Sequence, residues 1–345
     1  MLLVPSIFVA STTLSFDANF RTNIAFVLSG PVCLGVAALF CYERRITMKQ
    51  LHKILLYILL PIVANTVYIF LYNPSVRDVL SGTGSNRAAS GGWGANQVST
   101  ILGLGMFLVA VRLFTKSTSL GLKIVNIIIL CGISFRAIVT FSRGGVITAL
   151  LTITAFVLIY FSVISKRKKN QVLILSMVFA FSMLMTWVIS SNQTDGYIDL
   201  RYANKDHLGK QKEDITTGRS ELLQEELEGF ISSPFFGIGS SRAKDQRIED
   251  EGQGVVSHSE FGRTLAEHGM LGVIILIILI FKPLELRSFN KRNYFFYAFL
   301  TFWFLTINHS SMRLAAPAFI YALCLLNVVN EKHPLHRKQL KEPQV

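Results

Sequence analysis

Charge is scarce in this chain. Asp, Glu, Lys and Arg make up 16% of its 345 residues, apolar residues supply 51%, and mean hydropathy is +0.46. A soluble chain of this length carries about 25% charge and splits into domains, so that class is excluded. Cysteine is sparse as well. Cys33, Cys41, Cys131 and Cys324 lie in or beside apolar runs, no two at metal-ligand spacing, and read as small buried hydrophobes. No internal repeat or low-complexity tract is present. Residues 1–16 lack a basic leader region and a small-residue cleavage site, so they read as a first span.

What the chain has instead is apolar runs. A hydrocarbon core needs about 20 residues of helix to cross it. Runs of that kind predict helical spans near 2–16, 22–42, 52–72, 95–114, 121–139, 144–164, 171–190, 259–281, 294–309 and 313–330. The expected fold class is an all-α polytopic integral membrane protein of about ten transmembrane helices, forming a single domain over 1–345.

Orientation follows from Lys and Arg in the short loops. Glu43-Arg44-Arg45 with Lys49, Lys116 with Lys123, Lys166 to Lys169, Lys282 to Arg292, and Lys332 to Lys341 all fall on alternate sides. The loops between them hold only Arg21, Arg77 and Arg87, Arg136 and Arg143, and Arg313. Both termini are therefore expected in the cytoplasm. The long polar stretch 191–256, reaching Ser257, is expected on the outside, the periplasm of a Gram-negative cell. That stretch carries thirteen acids and eight bases, a net −5, while the rest of the chain is +18. The basic surplus is thus an insertion signal and a contact for membrane lipids, and gives no reason to expect nucleic acid.

A polar interruption of this size among short loops marks a functional element more often than a linker. Three pieces of it carry chemistry. Gly218-Arg219-Ser220-Glu221 opens a segment in which Leu222, Leu223, Leu227, Phe230 and Ile231 share one helical face, opposite Glu221, Glu225 and Glu228, until Pro234. This predicts an amphipathic helix on the membrane surface. A guanidinium at its first turn, beside unpaired backbone N–H groups, suits a phosphate, although an ordinary solvated arginine fits the same pattern.

Ser257-His258-Ser259-Glu260 fits a capping box with Ser257 as N-cap. His258 would then be the first helical residue, held neutral by the positive helix end and able to accept a proton; a plain interfacial residue is the alternative. Further along, Gly269 and Gly272 would allow close approach of another helix or a lipid, and Arg263 and Glu267 are spaced to pair. Arg136 and Arg143, the latter in Ser142-Arg143-Gly144-Gly145 at a helix start, are candidates to meet an anion, with snorkelling or pairing as the alternative.

Arg219-x3-Leu223, then Ser233-Pro-Phe-Phe-Gly-Ile-Gly239, then His258-Ser259-x9-Gly269-x2-Gly272, resemble in order the motifs of the O-antigen ligase family. The wider superfamily includes the O-antigen and exopolysaccharide polymerases. Ser142-Arg143-Gly144 resembles the family's arginine-bearing helix start. The resemblance covers about 130–280; the chain is shorter than many members, which often have twelve spans.

The resemblance implies a GT-C-like, metal-independent, inverting glycosyltransferase of the bacterial inner membrane, with no cofactor. Its donor would be a glycan on undecaprenyl diphosphate, and its acceptor a glycan or lipid A–core hydroxyl at the periplasmic face. Arg219 and Arg143, with Arg136, would hold the diphosphate, His258 would be the general base, and Gly269 and Gly272 would pack near the lipid tail. A repeat-unit polymerase needs the same donor chemistry, so the motifs leave ligase and polymerase open. A polysaccharide-lipid flippase would instead show midplane charges and paired broken helices.

Overall fold

The computed structural model describes residues 1–14, 20–80, 82–212, 218–251, 257–310 and 314–330. Arg313 and Lys332 to Lys341, used above for orientation, lie outside the described residues. Helix α1 is Val4–Thr13, α2 Phe20–Cys41, α3 Met48–Tyr72, α4 Ala95–Thr115, α5 Leu120–Ile138, α6 Arg143–Val163 and α7 Lys166–Gln193. The polar stretch holds α8 Tyr197–Tyr202, α9 Arg219–Ser232 and α10 Arg242–Glu251. Then follow α11 Glu260–Phe289, α12 Phe296–Ile307 and α13 Ala315–Ala322.

The protein is all-α and built of apolar membrane-length helices. By length and composition, seven of the described helices suffice to cross a bilayer: α2 to α7 and α11. The other three expected spans form shorter apolar helices. Helix α1 has 10 residues, α12 has 12 and α13 has 8. At about 1.5 Å per residue each helix by itself is shorter than about 30 Å of hydrocarbon. Apolar runs read alike whether lipid or protein covers them, and α12 is largely wrapped by protein: Phe296, Phe299, Phe302 and Trp303 are all buried.

Helix α4 is the axis of the bundle, buried along nearly all of its length from Val98 to Phe114 and packed on α3, α5 and α6. Between apolar helices in lipid there is little hydrophobic drive, so close backbone approach matters. Gly103 supplies it: a Cβ there would lie 2.5 Å from the Gly145 carbonyl of α6. Two short strands, β1 Arg45–Thr47 and β2 Asn327–Val329, pair in parallel. Asn290 bonds Asn327 at 2.7 Å, and Glu43 N–H bonds Leu325 at 2.9 Å. The basic loops after α2 and α11 therefore meet the α13 end of the chain at one pole of the bundle. The polar stretch, the N-terminal ends of α6 and α11, and residues 308–310 occupy the other.

Candidate active site

The start of α6 is fixed by its neighbours before any ligand is considered. Ser142 is its N-cap and Arg143 its first residue, as the sequence predicts. Ser142 Oγ donates to Asn96 Oδ1 at 2.7 Å, and Ser99 Oγ donates to the Ser142 carbonyl at 3.0 Å. A Cβ on Gly145 would overlap Ser99, and one on Gly144 would overlap the His309 ring. The preceding Phe141, fully buried, has φ of 61°, a left-handed conformation strained for a bulky residue. Its carbonyl accepts a 3.1 Å bond from Arg201 Nε of α8, while Arg143 Nη1 donates to the Arg201 carbonyl at 3.3 Å.

Arg219 arrives from the other side. Gly218, at φ of 80°, is the N-cap of α9, and Arg219 is that helix's first residue, as expected. Burial, then the charge of Arg143, holds the Arg219 guanidinium below its ordinary range. Burial again, then Arg143 and Arg219, does the same to Arg201, with Tyr202 opposing. Three arginines thus feel one another: Arg143 and Arg219 at two helix N-termini, and Arg201 on α8 between them. Each N-terminus adds about half a positive charge through its free N–H groups. The combination fits a ligand carrying more than one negative charge.

Arg201 and His309 carried no signal in the sequence. His309, in the turn after α12, donates from Nδ1 to the Leu305 carbonyl at 2.8 Å and sets Nε2 3.2 Å from the Thr100 hydroxyl. Burial first, and the Arg219 charge as well, outweigh the Leu305 carbonyl and push its pKa down to about 4. His309 is therefore neutral at pH 7, a spacer packed on the start of α6.

His258 lies elsewhere in its local structure than expected. The N-cap of α11 is Ser259, whose Oγ accepts from Gly262 N–H at 3.2 Å, so His258 precedes the helix instead of opening it. Ser257 is drawn into a small turn: its Oγ takes the Ser259 N–H at 3.1 Å and donates to the Ser259 carbonyl at 3.0 Å. Glu260 pairs with Arg263 instead of closing a capping box, and Arg263 also feels the charge of Glu267, its expected partner. Ser259 Oγ meets Asn308 Oδ1 at 3.4 Å. Asn308 adjoins His309, so this contact brings the His258 segment beside the residues that carry the arginine cluster.

Ion pairs tie α10 to α9. Arg247 of α10 reaches Glu225 at 2.6 Å and Glu226 at 3.4 Å, both on α9. Burial pushes the Glu226 carboxyl up, against Ser257, Arg247 and Arg263, which pull it back. Gly262 leaves no room for a Cβ beneath Glu226 and Leu223. The helix expected here forms as α9, which buries Glu226 and Gly229 and leaves Leu223, Leu227 and Ile231 exposed.

Gly269 and Gly272 do not serve as a smooth packing face. Gly269 has φ of 58° and breaks α11 in two. The chain then folds back so far that a Cβ on Gly272 would overlap the Thr264 carbonyl. The Ser233–Gly239 run fills the break. Pro234 accepts Met270 N–H at 2.7 Å, Ala266 accepts Ile238 N–H at 2.9 Å, and Gly237 packs where any Cβ would strike Glu267. Two separate sequence motifs are thus halves of one backbone unit that restores hydrogen bonds the broken helix loses.

Arg136 is not part of the cluster. Buried on α5, it donates to the Ile69 carbonyl at 2.9 Å and lies 4.3 Å from the centroid of the Phe70 ring, on the α3 side. The short turn 139–142 reverses the chain and sends Arg136 and Arg143 to different neighbours. Among the described residues no group of three or more His, Cys, Asp or Glu is placed to hold a metal ion.

Residues 127–277 match the family model described as O-antigen ligase. This segment, a little under half of the chain, is similar to the O-antigen ligase family. The match begins within α5 and ends within α11, so it takes in Arg143, Arg201, Arg219, His258 and both glycines of the α11 break, while His309 lies beyond it. No curated protein matches the chain. The similarity supports a membrane enzyme of the O-antigen ligase and polymerase type.

Proposed function

We propose that the protein transfers a glycan from undecaprenyl diphosphate to a sugar hydroxyl at the periplasmic face of the inner membrane, with inversion and without a metal ion. The observation that carries this reading is the gathering of Arg143, Arg201 and Arg219 at the starts of α6 and α9, beside the segment holding His258. In the reaction the acceptor oxygen attacks the anomeric carbon, and the bond from that carbon to the diphosphate oxygen breaks. His258 takes the hydroxyl proton. The departing diphosphate gains charge, which the three guanidiniums and the two helix ends stabilise. Arg136 has no part in this.

The acceptor is a lipid A–core or glycan hydroxyl; a ligase is the first reading, and a repeat-unit polymerase, which needs the same donor chemistry, is the second. The test is reconstitution: purified protein, a lipid-linked oligosaccharide donor, candidate acceptors, and EDTA throughout. Transfer in EDTA with inverted product supports the reading. Transfer that needs an added divalent ion refutes the arginine assignment. In cells, deletion that leaves long chains on the carrier marks a ligase, and single repeats left there mark a polymerase.

A further inference from the structure

The loop that joins α3 to α4 is bonded more firmly than a connector needs. Asn86 organises it. Buried, it donates from its N–H to the Thr140 carbonyl at 3.0 Å and from Nδ2 to the Val79 carbonyl at 2.6 Å, and its Oδ1 accepts the Ala89 N–H at 2.9 Å. Ser90 Oγ donates to the Asn86 carbonyl at 2.6 Å, and Arg87 Nε donates to the Gly92 carbonyl at 2.7 Å. Gly91 and Gly92 take φ of 76° and 80°, which glycine adopts without strain. The chain held in this way presents Trp93, whose indole is 70% exposed between Gly92 and Gly94.

Two ties fix where that indole stands. Asn86, before it, bonds Thr140, and Asn96, after it, accepts from Ser142, the N-cap of α6. Both anchors lie in the turn that delivers Arg143. Trp93 is three residues from Asn96, so at most about 11 Å of chain separates it from the second anchor. A tryptophan at a membrane face ordinarily marks the lipid interface. The position of Trp93 speaks against that role. It stands two residues ahead of α4, the buried axis of the bundle, around which α3, α5 and α6 pack. Lipid meets the outer helices, whereas the loop at the start of α4 rises over the protein beside the arginine site.

An indole offers a large, rigid face with negative charge density, at small cost in side-chain entropy. The flat side of a pyranose ring carries several weakly positive C–H bonds, and stacking leaves its rim of hydroxyls in water. We propose that Trp93 is a stacking platform for a sugar ring of the reacting glycans, in the donor or in the acceptor. The proposal rests on the function proposed above, which sets a sugar beside the diphosphate held at Arg143. A lipid anchor is the other outcome of the test.

Trp93→Ala and Trp93→Phe are compared with the wild type for the KM of the lipid-linked donor, the KM of the acceptor and the Ki of inorganic pyrophosphate. Trp93→Ala is expected to raise at least one KM about 10-fold, and the one that rises identifies the stacked glycan. Trp93→Phe keeps a ring face and should raise it less than about 3-fold. The pyrophosphate Ki should stay the same in both, because the arginines are untouched. The fluorescence that Trp93→Phe removes from the wild type belongs to Trp93. That emission should shift when the oligosaccharide released from the donor by mild acid is added, and brominated phospholipid should not quench it. Unchanged KM values in Trp93→Ala overturn the platform and leave the reaction standing. So does quenching by brominated lipid that the oligosaccharide leaves unaltered, which marks a lipid anchor. If the wild type transfers no glycan, the reaction falls and the emission decides alone: a shift with oligosaccharide upholds the sugar contact, and no shift overturns it too.

Discussion

The polar stretch and the helix ends around it hold two groups of charges assembled in opposite ways. In the network of Glu225, Glu226, Arg247, Glu260 and Arg263, each cation has a carboxylate, and the partners come from α9, α10 and α11. In the other group Arg143, Arg201 and Arg219 are drawn together with one sign, and the anchoring bonds of Arg143 and Arg201 go to backbone carbonyls. Paired charges out of water hold helices in register at little net gain. Arginines gathered at two helix starts suit an anionic ligand, whereas carboxylate-paired arginines suit a scaffold.

That contrast is broken most severely at the proton acceptor. His258→Ala is expected to lower turnover about 10²–10⁴-fold at normal expression and thermal stability, measured as initial rates of glycan transfer. Next come the arginines. Arg201→Gln should cost about 10²-fold in kcat, as loss of one preorganised charge donor does elsewhere. Arg219→Lys should also be poor, because a point charge cannot make a bidentate phosphate contact. Arg247→Ala should act on the scaffold instead. It leaves Glu226 buried without its cation, at a cost of about 3–5 kcal/mol, read as a lower melting temperature in detergent. The molecules that stay folded should keep their rate.

The smallest effect is expected at His309. Its pKa is about 4 in the folded protein, against an ordinary value of 6.5. Between those pH values the unfolded chain binds a proton that the folded one does not, so stability falls as pH drops from 7 towards 4. His309→Asn should flatten that part of the melting profile. An unchanged profile would show that the ring is not buried as described.

Much of this architecture was legible in the residue pattern. Ser142-Arg143-Gly144-Gly145 and Gly218-Arg219 mark two helix starts, and both are where the pattern placed them. The amphipathic face of α9 was legible because hydrophobic periodicity is a local property. What failed was local ambiguity or long-range geometry. Two serines two residues apart can each cap a helix, and in the structure Ser259 does so while Glu260 pairs with Arg263. Gly269 and Gly272 look like a small-residue packing face, yet a φ of 58° at Gly269 turns the chain back on itself. Arg136 lies seven residues before Arg143 and faces Ile69 and Phe70 on α3, which nothing in the spacing reveals. Arg201 and His309 belong to no motif. They matter because α8 and the turn after α12 return to one pole of the bundle.

The most direct test of the central claim is the inhibition constant of inorganic pyrophosphate, measured for the wild type and for Arg143→Gln, Arg201→Gln, Arg219→Gln and Arg136→Gln under one salt condition. If three arginines form the diphosphate site, the first three variants should each weaken inhibition at least about 10-fold, as loss of a charge-assisted contact does, and Arg136→Gln should match the wild type. Equal inhibition of all five proteins, or a loss confined to Arg136→Gln, would contradict it.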